Sequence, residues 1–290
     1  VKGLLPNVEG GTYGNLSVRN EDDYFITGRN VHKGNLTADV ICKIDSCEKM
    51  NEESVYAHVN YHGKVKPSID SAIHHAIYEK LPESQAILHV HTDDIFNRPL
   101  SSYNYPCGTM EERDSIVEIM NAEEPIIQMK KHGVVIAGTT LDTCLKEWND
   151  LQEELRFTPF NPAKNVDLWE EWITHVTIVG GIPKEDESSM LNPENYYLIE
   201  EKGVGYGLCY VAVVEKENLL RFSLFTSEEF QRAGTGIGKR SLQILEQIRK
   251  SEDLTLELLT KPACSVVDYY TKQGFYLHEE ENEYIRMRKE

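Results

Sequence analysis

QAILHVH, residues 85–91, is a short run of apolar, β-prone residues closed by two histidines, and it reads as a strand. Successive side chains of a strand point to opposite faces, so His89 and His91, two apart, project together. Two imidazoles on one face can share a metal at Zn–N distances of roughly 2.0–2.1 Å. With ten histidines in 290 residues, such a pair arises by chance roughly 0.3 times, so it needs independent support. That support comes from His132, in the strand-end turn KKHGV, and from Asp70, in the first turn of an expected helix. Three neutral imidazoles, one carboxylate and an exchangeable position suit a catalytic zinc that acts as Lewis acid on a substrate oxygen.

Outward from this run, DDYFITG (22–28) is a second strand candidate. Between the two, Ser68 after Pro67 is the expected cap of a helix whose face is Ile69, Ile73, Ala76 and Ile77. The strand-like IIQMKKHGVVIAG (126–138) is followed by a helical face at Cys144, Leu145, Trp148, Leu151 and Leu155, so helices pack on a sheet. RFTPFNPAKN (156–165) breaks periodicity at Pro159 and Pro162 and reads as a connection, flanked by all three tryptophans, Trp148, Trp169 and Trp172, which suggests a packed seam.

The second half offers strands at HVTIVG (175–180), YYLIEE (196–201), GLCYVAVV (207–214), LLRFSLF (219–225) and LTLELL (254–259). Before the last of these, QRAGTGIG (231–238) leads into a helix with Ile237, Ile244, Leu245 and Ile248 on one face. Glycines there let backbone N–H groups approach an anion at a helix N-terminus, and pyrophosphate is the natural guest. The spacing is GxGxG with no following Lys-Ser/Thr, which fits neither the dinucleotide fingerprint nor the P-loop. A tight turn is the competing reading.

At 290 residues the chain accommodates about two domains. Forty-eight acidic residues against 30 basic ones give −18, which repels a phosphate backbone, so nucleic acid is excluded as a partner class. The six scattered cysteines form no CxxC pair and no disulfide framework, pointing to a reduced, cytoplasmic setting. No apolar run is long enough to span a bilayer, and the first residues, which begin with Val, do not read as a signal peptide.

GGTYGNLSVR (10–19), YFITGRNVHKGNL (24–36), KPSIDSAIHHAIY (66–78), AILHVH (86–91), CGTMEE (107–112) and KKHGVVIAG (130–138) resemble, in order, the motifs of the class II aldolase/adducin family over about residues 8–155. The resemblance implies a divalent metal, usually zinc, on His89, His91 and His132, with Asp70 as a further ligand or the base. It implies a small phosphorylated keto sugar as substrate, held through adjacent oxygens so that an enediolate is stabilised, with Asn15, Thr27, Gly28 and Ser68 contacting the phosphate. It also implies a homo-oligomer. Departures from the family are Asp70 where aldolase members carry Glu and epimerase members Asp, Ile69 in place of a second Ser, and a short His91–Gly108 interval. Tyr103 and Tyr105 are candidate replacements for the tyrosine acid that this shortening removes, and the helix that normally precedes GGTYGN is absent. His74 reads as a core or supporting group rather than a ligand, and the alternative for Asp70 is a mere helix-dipole partner.

QRAGTGIG and the later YYTKQGF (269–275) resemble the acyl-CoA loop and following motif of GNAT N-acetyltransferases, over about 172–290, with HVTIVGGIPKED as first strand and turn. The resemblance implies that Gln231, Arg232, Ala233, Gly234, Thr235, Gly236, Ile237 and Gly238 hold the pyrophosphate of acetyl-CoA. An amine acceptor then attacks the thioester, and Tyr270 protonates the departing thiolate, while Glu228 and Glu229 are candidate bases. Ala263 stands where the family commonly has Asn.

The expected architecture is therefore α/β followed by α+β: a class II aldolase-like α/β/α domain over 1–160, a connection over 161–171, and a GNAT-like mixed-sheet domain over 172–290. The expected function is a bifunctional enzyme, a zinc-dependent sugar-phosphate aldolase or epimerase joined to an N-acetyltransferase. The rival readings are a non-catalytic adducin-like assembly module, or a second half that senses CoA without transfer.

Overall fold

The computed structural model describes residues 7–8, 11–12, 14–33, 36–51, 53–101, 105–178, 190–226, 235–260, 264–280 and 285–290. The chain divides into two compact units, residues 1–93 with 98–152, and 94–97 with 153–290. The 156–159 segment, expected at the end of the first domain, falls within the second unit.

In the first unit, a small pair β1 (Asn7–Val8) and β2 (Gly11–Thr12) precedes a seven-stranded sheet. Its strands are β3 (Asn15–Asn20), β4 (Asp23–Thr27), β5 (Ile41–Lys49), β6 (Ala57–His62), β7 (Ala86–Val90), β9 (Ile126–Met129) and β10 (Gly133–Gly138). The order is β6-β5-β4-β3-β7-β10-β9, antiparallel throughout. Every residue of β7 is buried, as expected for a central strand covered on both faces. On one face, Ile73, Ile77 and Tyr78 of α1 (Ser71–Lys80) and Ile116 of α2 (Met110–Ile119) close a core with Ile26, Ile87, Ile127 and Val135. Cys144, Trp148 and Leu151 form the buried stripe of α3 (Leu141–Glu153).

The helix α1 begins later than the Ser68 cap predicts. Ser71 is its first residue and Asp70 holds the N-cap place, yet the Asp70 side chain makes no capping bond. An Asp cap ordinarily stabilises a helix by about 0.5–2 kcal/mol, so this carboxylate has been turned to another use.

In the second unit, an eight-stranded sheet runs β16-β17-β15-β14-β13-β12-β11-β8. Its members are β8 (Ile95–Phe96), β11 (Arg156–Pro159), β12 (Tyr196–Glu201), β13 (Val204–Val214), β14 (Leu219–Thr226), β15 (Thr255–Thr260), β16 (Tyr276–Glu280) and β17 (Ile285–Lys289). Only the β14–β15 pair is parallel, and it is joined by the crossover helix α5 (Ile237–Glu252). Ile237, Ile244 and Leu245 of α5 and Tyr270 of α6 (Cys264–Lys272) pack with Phe157, Phe222 and Leu258. A second cluster gathers Phe160, Trp172, Tyr196 and Tyr210.

Two strand expectations are corrected here. RFTP, read as part of a connection, is β11, and Phe157 buries fully in the core while Pro159 occupies the last strand position, where a missing N–H is tolerated. HVTIVG, read as the first strand, instead enters α4 (Val166–Ile178), and its residues 179–180 lie outside the described residues. Leu168, Trp169, Trp172 and Ile173 recur at helical spacing and all pack into the Tyr196 cluster, so tertiary burial overrides the β-branched composition. Of the three tryptophans, Trp148 is buried on α3 of the first unit, and Trp169 and Trp172 pack in a core of the second.

Candidate metal centre and acyl-CoA loop

Three backbone features bring the histidines together. His89 lies on β7 opposite Asn15 of β3 and Val135 of β10, and His91 follows the strand end on the same face. His132 sits in the β9–β10 turn between Lys131 (φ 55°) and Gly133 (φ 135°). A Cβ at Gly133 would lie 2.0 Å from the Val90 carbonyl oxygen, so only glycine lets this turn close onto the end of β7. The result is a triangle of imidazoles in which the ring centroids of His89, His91 and His132 are each 4.7 Å from the other two.

Asp70 completes the group. Its Oδ2 accepts a hydrogen bond from Asn15 Nδ2 at 2.6 Å and lies 3.9 Å from His89 Nε2. Donor atoms of Asp70, His89, His91 and His132 all fall within 4.8 Å of one another. The rings are oriented from behind: His89 Nδ1 is 3.1 Å from the Val134 carbonyl, and His132 Nδ1 is 2.6 Å from Glu112 Oε1. Each nitrogen that makes such a bond carries the proton, which leaves Nε2 as the lone pair for a cation. His89 Nε2 is buried and has no hydrogen-bond partner among the described residues, an arrangement costly to a fold unless something binds there.

Burial, reinforced by His132, pushes His91 down to about 4, and burial carries His89 well below the ordinary imidazole value. Both shifts favour the neutral ring, the form that ligates metal. Burial also lowers His132, but its bond to Glu112 and the Asp70 charge outweigh this and raise it. Burial pushes the Asp70 carboxyl up, while the fields of His89, His132 and His74 hold it below the usual carboxylate range. His74 is fully buried with Nδ1 2.7 Å from Ser17 Oγ, and burial lowers it to about 4.

Three participants escape the sequence reading. Cys107 Sγ lies 3.3 Å from His132 Nε2 and 3.4 Å from Asp70 Oδ1. Glu112 orients His132 and accepts the Gly108 N–H at 2.6 Å on its other oxygen. Lys33 buries its ammonium within the field of Asp70. All three stand inside quoted motifs, but neither spacing nor composition separates a supporting role from a loop residue.

Of the four predicted phosphate contacts, only Ser68 lines a cavity of about 430 Å³ beside the Asp70 helix start, together with Arg29, Tyr61, Lys66, Ile69 and Gly108. The other three make contacts within the fold. Asn15 donates to Asp70, Thr27 Oγ1 accepts the Leu16 N–H, and the Gly28 N–H is spent on the Val40 carbonyl. No carboxylate is among the described residues lining this cavity, whereas it carries Arg29 and Lys66, in a chain whose net charge is −18. Tyr105 is described and Tyr103 lies outside the described residues.

In the second unit, Gly236 caps α5 in the left-handed region (φ 68°), after Thr235 and before Ile237 and Gly238. Gln231, Arg232, Ala233 and Gly234 lie outside the described residues, as do Glu228, Glu229 and Ala263. The β14–β15 ladder runs from Leu219↔Thr255 to Phe222↔Leu258, while β14 itself continues to Thr226. Tyr270 is buried against Phe222, Tyr269 and Phe275, and burial raises its hydroxyl well above the ordinary phenol value. A Cβ at Gly238 would stand 3.4 Å from the Tyr269 hydroxyl, so it is Tyr269 whose oxygen approaches the start of α5.

Residues 5–97 match the Class II Aldolase and Adducin N-terminal domain. An L-fuculose phosphate aldolase of Methanococcus vannielii is 26% identical over 151 residues, covering 49% of this chain and 82% of that protein. Among solved structures, a sugar-phosphate aldolase from Thermotoga maritima covers 63% of this chain and 91% of its own, at 18% identity and TM-score 0.40. Naa50 of Arabidopsis thaliana, in complex with a bisubstrate analogue, covers 47% of this chain and 98% of its own, at 12% identity and TM-score 0.35.

Proposed function

Since residues 5–97 match the class II aldolase and adducin domain, we propose that the chain is a bifunctional enzyme. Its first module is a zinc-dependent lyase or epimerase of a small phosphorylated sugar, and its second an acetyl-CoA-dependent N-acyltransferase. The observation that carries the first assignment is the triangle of three imidazoles closed by a buried carboxylate. The donor set fits the ion: three nitrogens and an oxygen, with the unpartnered His89 Nε2 turned inward, are what a borderline-soft divalent cation selects.

Bound there, a divalent cation supplies Lewis acidity toward a substrate carbonyl. The chain does the rest. Asp70 moves the proton on the carbon beside that carbonyl, and Asn15 fixes it by holding Oδ2. His132 keeps its orientation through Glu112. The near-complete burial of His89 and Asp70 excludes water from the reacting groups. Arg29, Lys66 and the Ser68 hydroxyl offer an anion-binding wall for the phosphate, which offsets the loss of a second Ser at Ile69. In wild type, chelation should abolish retro-aldol or epimerase turnover on a panel of ketose phosphates, and Asp70→Asn should keep the metal but lose activity by about 10²–10⁴-fold. Undiminished turnover after complete metal removal would refute the assignment.

The second assignment rests on the order of the eight-stranded sheet and on its parallel pair, which parts after Phe222. Beyond Phe222 β14 stays paired with β13 but its ladder to β15 has ended, which leaves backbone groups on that edge for an extended amide-bearing arm, and the start of α5 favours a pyrophosphate. As the amine attacks the thioester carbonyl and the C–S bond breaks, Tyr270 delivers its proton to the sulfur, while the proton shed by the amine passes to solvent, from which the phenol is restored. The core packing of Tyr270 favours a second reading of this unit, CoA binding without transfer. Acetyl-CoA binding with no acetyl loss to any amine in a panel would select that reading. Five described cysteines are unpaired thiols, which supports a reducing, cytoplasmic setting.

A further inference from the structure

Cys107 stands against two members of the polar cluster, Asp70 and His132. Gly108 adopts φ +80°, and a Cβ there would meet Ile69 Cγ1 at 2.3 Å, so glycine alone lets this loop press against the start of the Asp70 helix. The Gly108 N–H is pinned to Glu112, the same carboxylate that orients His132. The thiol consequently faces two acceptors at once, Asp70 Oδ1 at 3.4 Å and His132 Nε2 at 3.3 Å. A thiol has one proton. With His132 Nδ1–H given to Glu112, three electron-rich atoms converge on a single hydrogen, beside the buried and unpartnered His89 Nε2 and Asn15 Oδ1.

A cation resolves this excess of lone pairs. Nitrogen and sulfur atoms bound to one tetrahedral zinc, at about 2.0–2.1 and 2.3 Å, lie roughly 3.5 Å apart, close to the observed Sγ–Nε2 separation. Cys107, Glu112 and His132 themselves form a second group of donors within 4.8 Å of one another, sharing His132 with the first. Glu112 is occupied by His132 and Gly108, which leaves Cys107 as the added donor.

We propose that Cys107 is a thiolate ligand of the same cation, giving a resting centre of three imidazoles and one sulfur and leaving Asp70 to move protons. The inference rests on the metal-dependent reading of the first unit. Coordination exchanges the S–H bond for a sulfur–metal bond, and the proton leaves to solvent. The soft donor also biases the centre toward zinc or cobalt over magnesium.

The test loads the full chain with Co²⁺ and records its electronic absorption. Wild type should show an intense thiolate-to-cobalt charge-transfer band in the near ultraviolet, and Cys107→Ser should bind one cobalt per chain without that band. X-ray absorption of the zinc-loaded wild type, which needs no variant, should show one sulfur scatterer at about 2.3 Å. Stoichiometric cobalt with identical spectra in wild type and Cys107→Ser, or zinc surrounded only by nitrogen and oxygen, would overturn the thiolate ligand and leave the metal enzyme standing. Failure of wild type to bind cobalt would overturn both.

Discussion

Glu112 holds His132 by a 2.6 Å contact to Nδ1 while its other oxygen, also at 2.6 Å, takes the Gly108 N–H. One buried carboxylate thus sets both the ring and the loop that carries Cys107. Supporting groups of this kind are worth about 10–100-fold in metal affinity. Glu112→Gln should weaken zinc binding by that factor in a competition titration while the fold persists. An unaltered dissociation constant would mean that His132 is oriented by its turn alone.

Gly133 is the second point of leverage. An added Cβ would collide with the Val90 carbonyl, and φ of 135° is strained for any L side chain. Gly133→Ala should cost about 1–3 kcal/mol from the backbone alone, with a further loss from the displaced turn. The urea midpoint should fall and the metal should be lost with it. A variant as stable as wild type, with full metal content, would show that the β9–β10 turn shifts without moving His132.

The second unit carries its own buried charges. Glu257 on β15 accepts from Arg221 Nε at 2.6 Å and from Arg288 Nε at 2.8 Å, with no exposed surface. Burial raises its carboxyl, but the two guanidiniums, Arg221 first, hold it below the usual range. A depressed folded value means stability that is fully present above the unfolded carboxylate pKa of about 4.3 and is lost as pH falls through the folded value. Glu257→Gln should lose about 3–5 kcal/mol at neutral pH, because the buried Arg221 loses the carboxylate charge to which its Nε donates. Its stability should then vary less with pH through the acid range than that of wild type. Parallel stability curves against pH would contradict the ion-pair account.

Tyr269 and Tyr270 can be told apart in the acyl transfer proposed for the second unit. If Tyr270 protonates the thiolate, Tyr270→Phe should lower the acetyl-transfer kcat by about 10²-fold or more with little change in acetyl-CoA affinity. Tyr269→Phe, which removes the hydroxyl nearest Gly238, should instead change that affinity. The reverse pattern would reassign the proton to Tyr269.

Much of the histidine cluster was legible in the sequence, because strand alternation alone puts His89 and His91 on one face, and a turn motif flags His132. Glu112 and Cys107 were not, since their roles depend on where the Gly108 loop lands in three dimensions. Ser68 appeared as a helix cap because its chemistry suits one, and it lost that place when Asp70 occupied the N-cap position and spent its side chain on the site. In the second unit, Pro159 disguised a strand and β-branched residues disguised a helix. Both errors have one origin: the core formed with Phe157, Trp169 and Trp172 outweighs local preference.

The most direct test is metal analysis of purified wild type beside His91→Ala. The geometry predicts about one zinc per chain in wild type and less than roughly a tenth of that in the variant, whose ligand set has lost one of three nitrogens. Equal metal content in the two proteins, whether full or nil, would contradict a cation bound at this triangle.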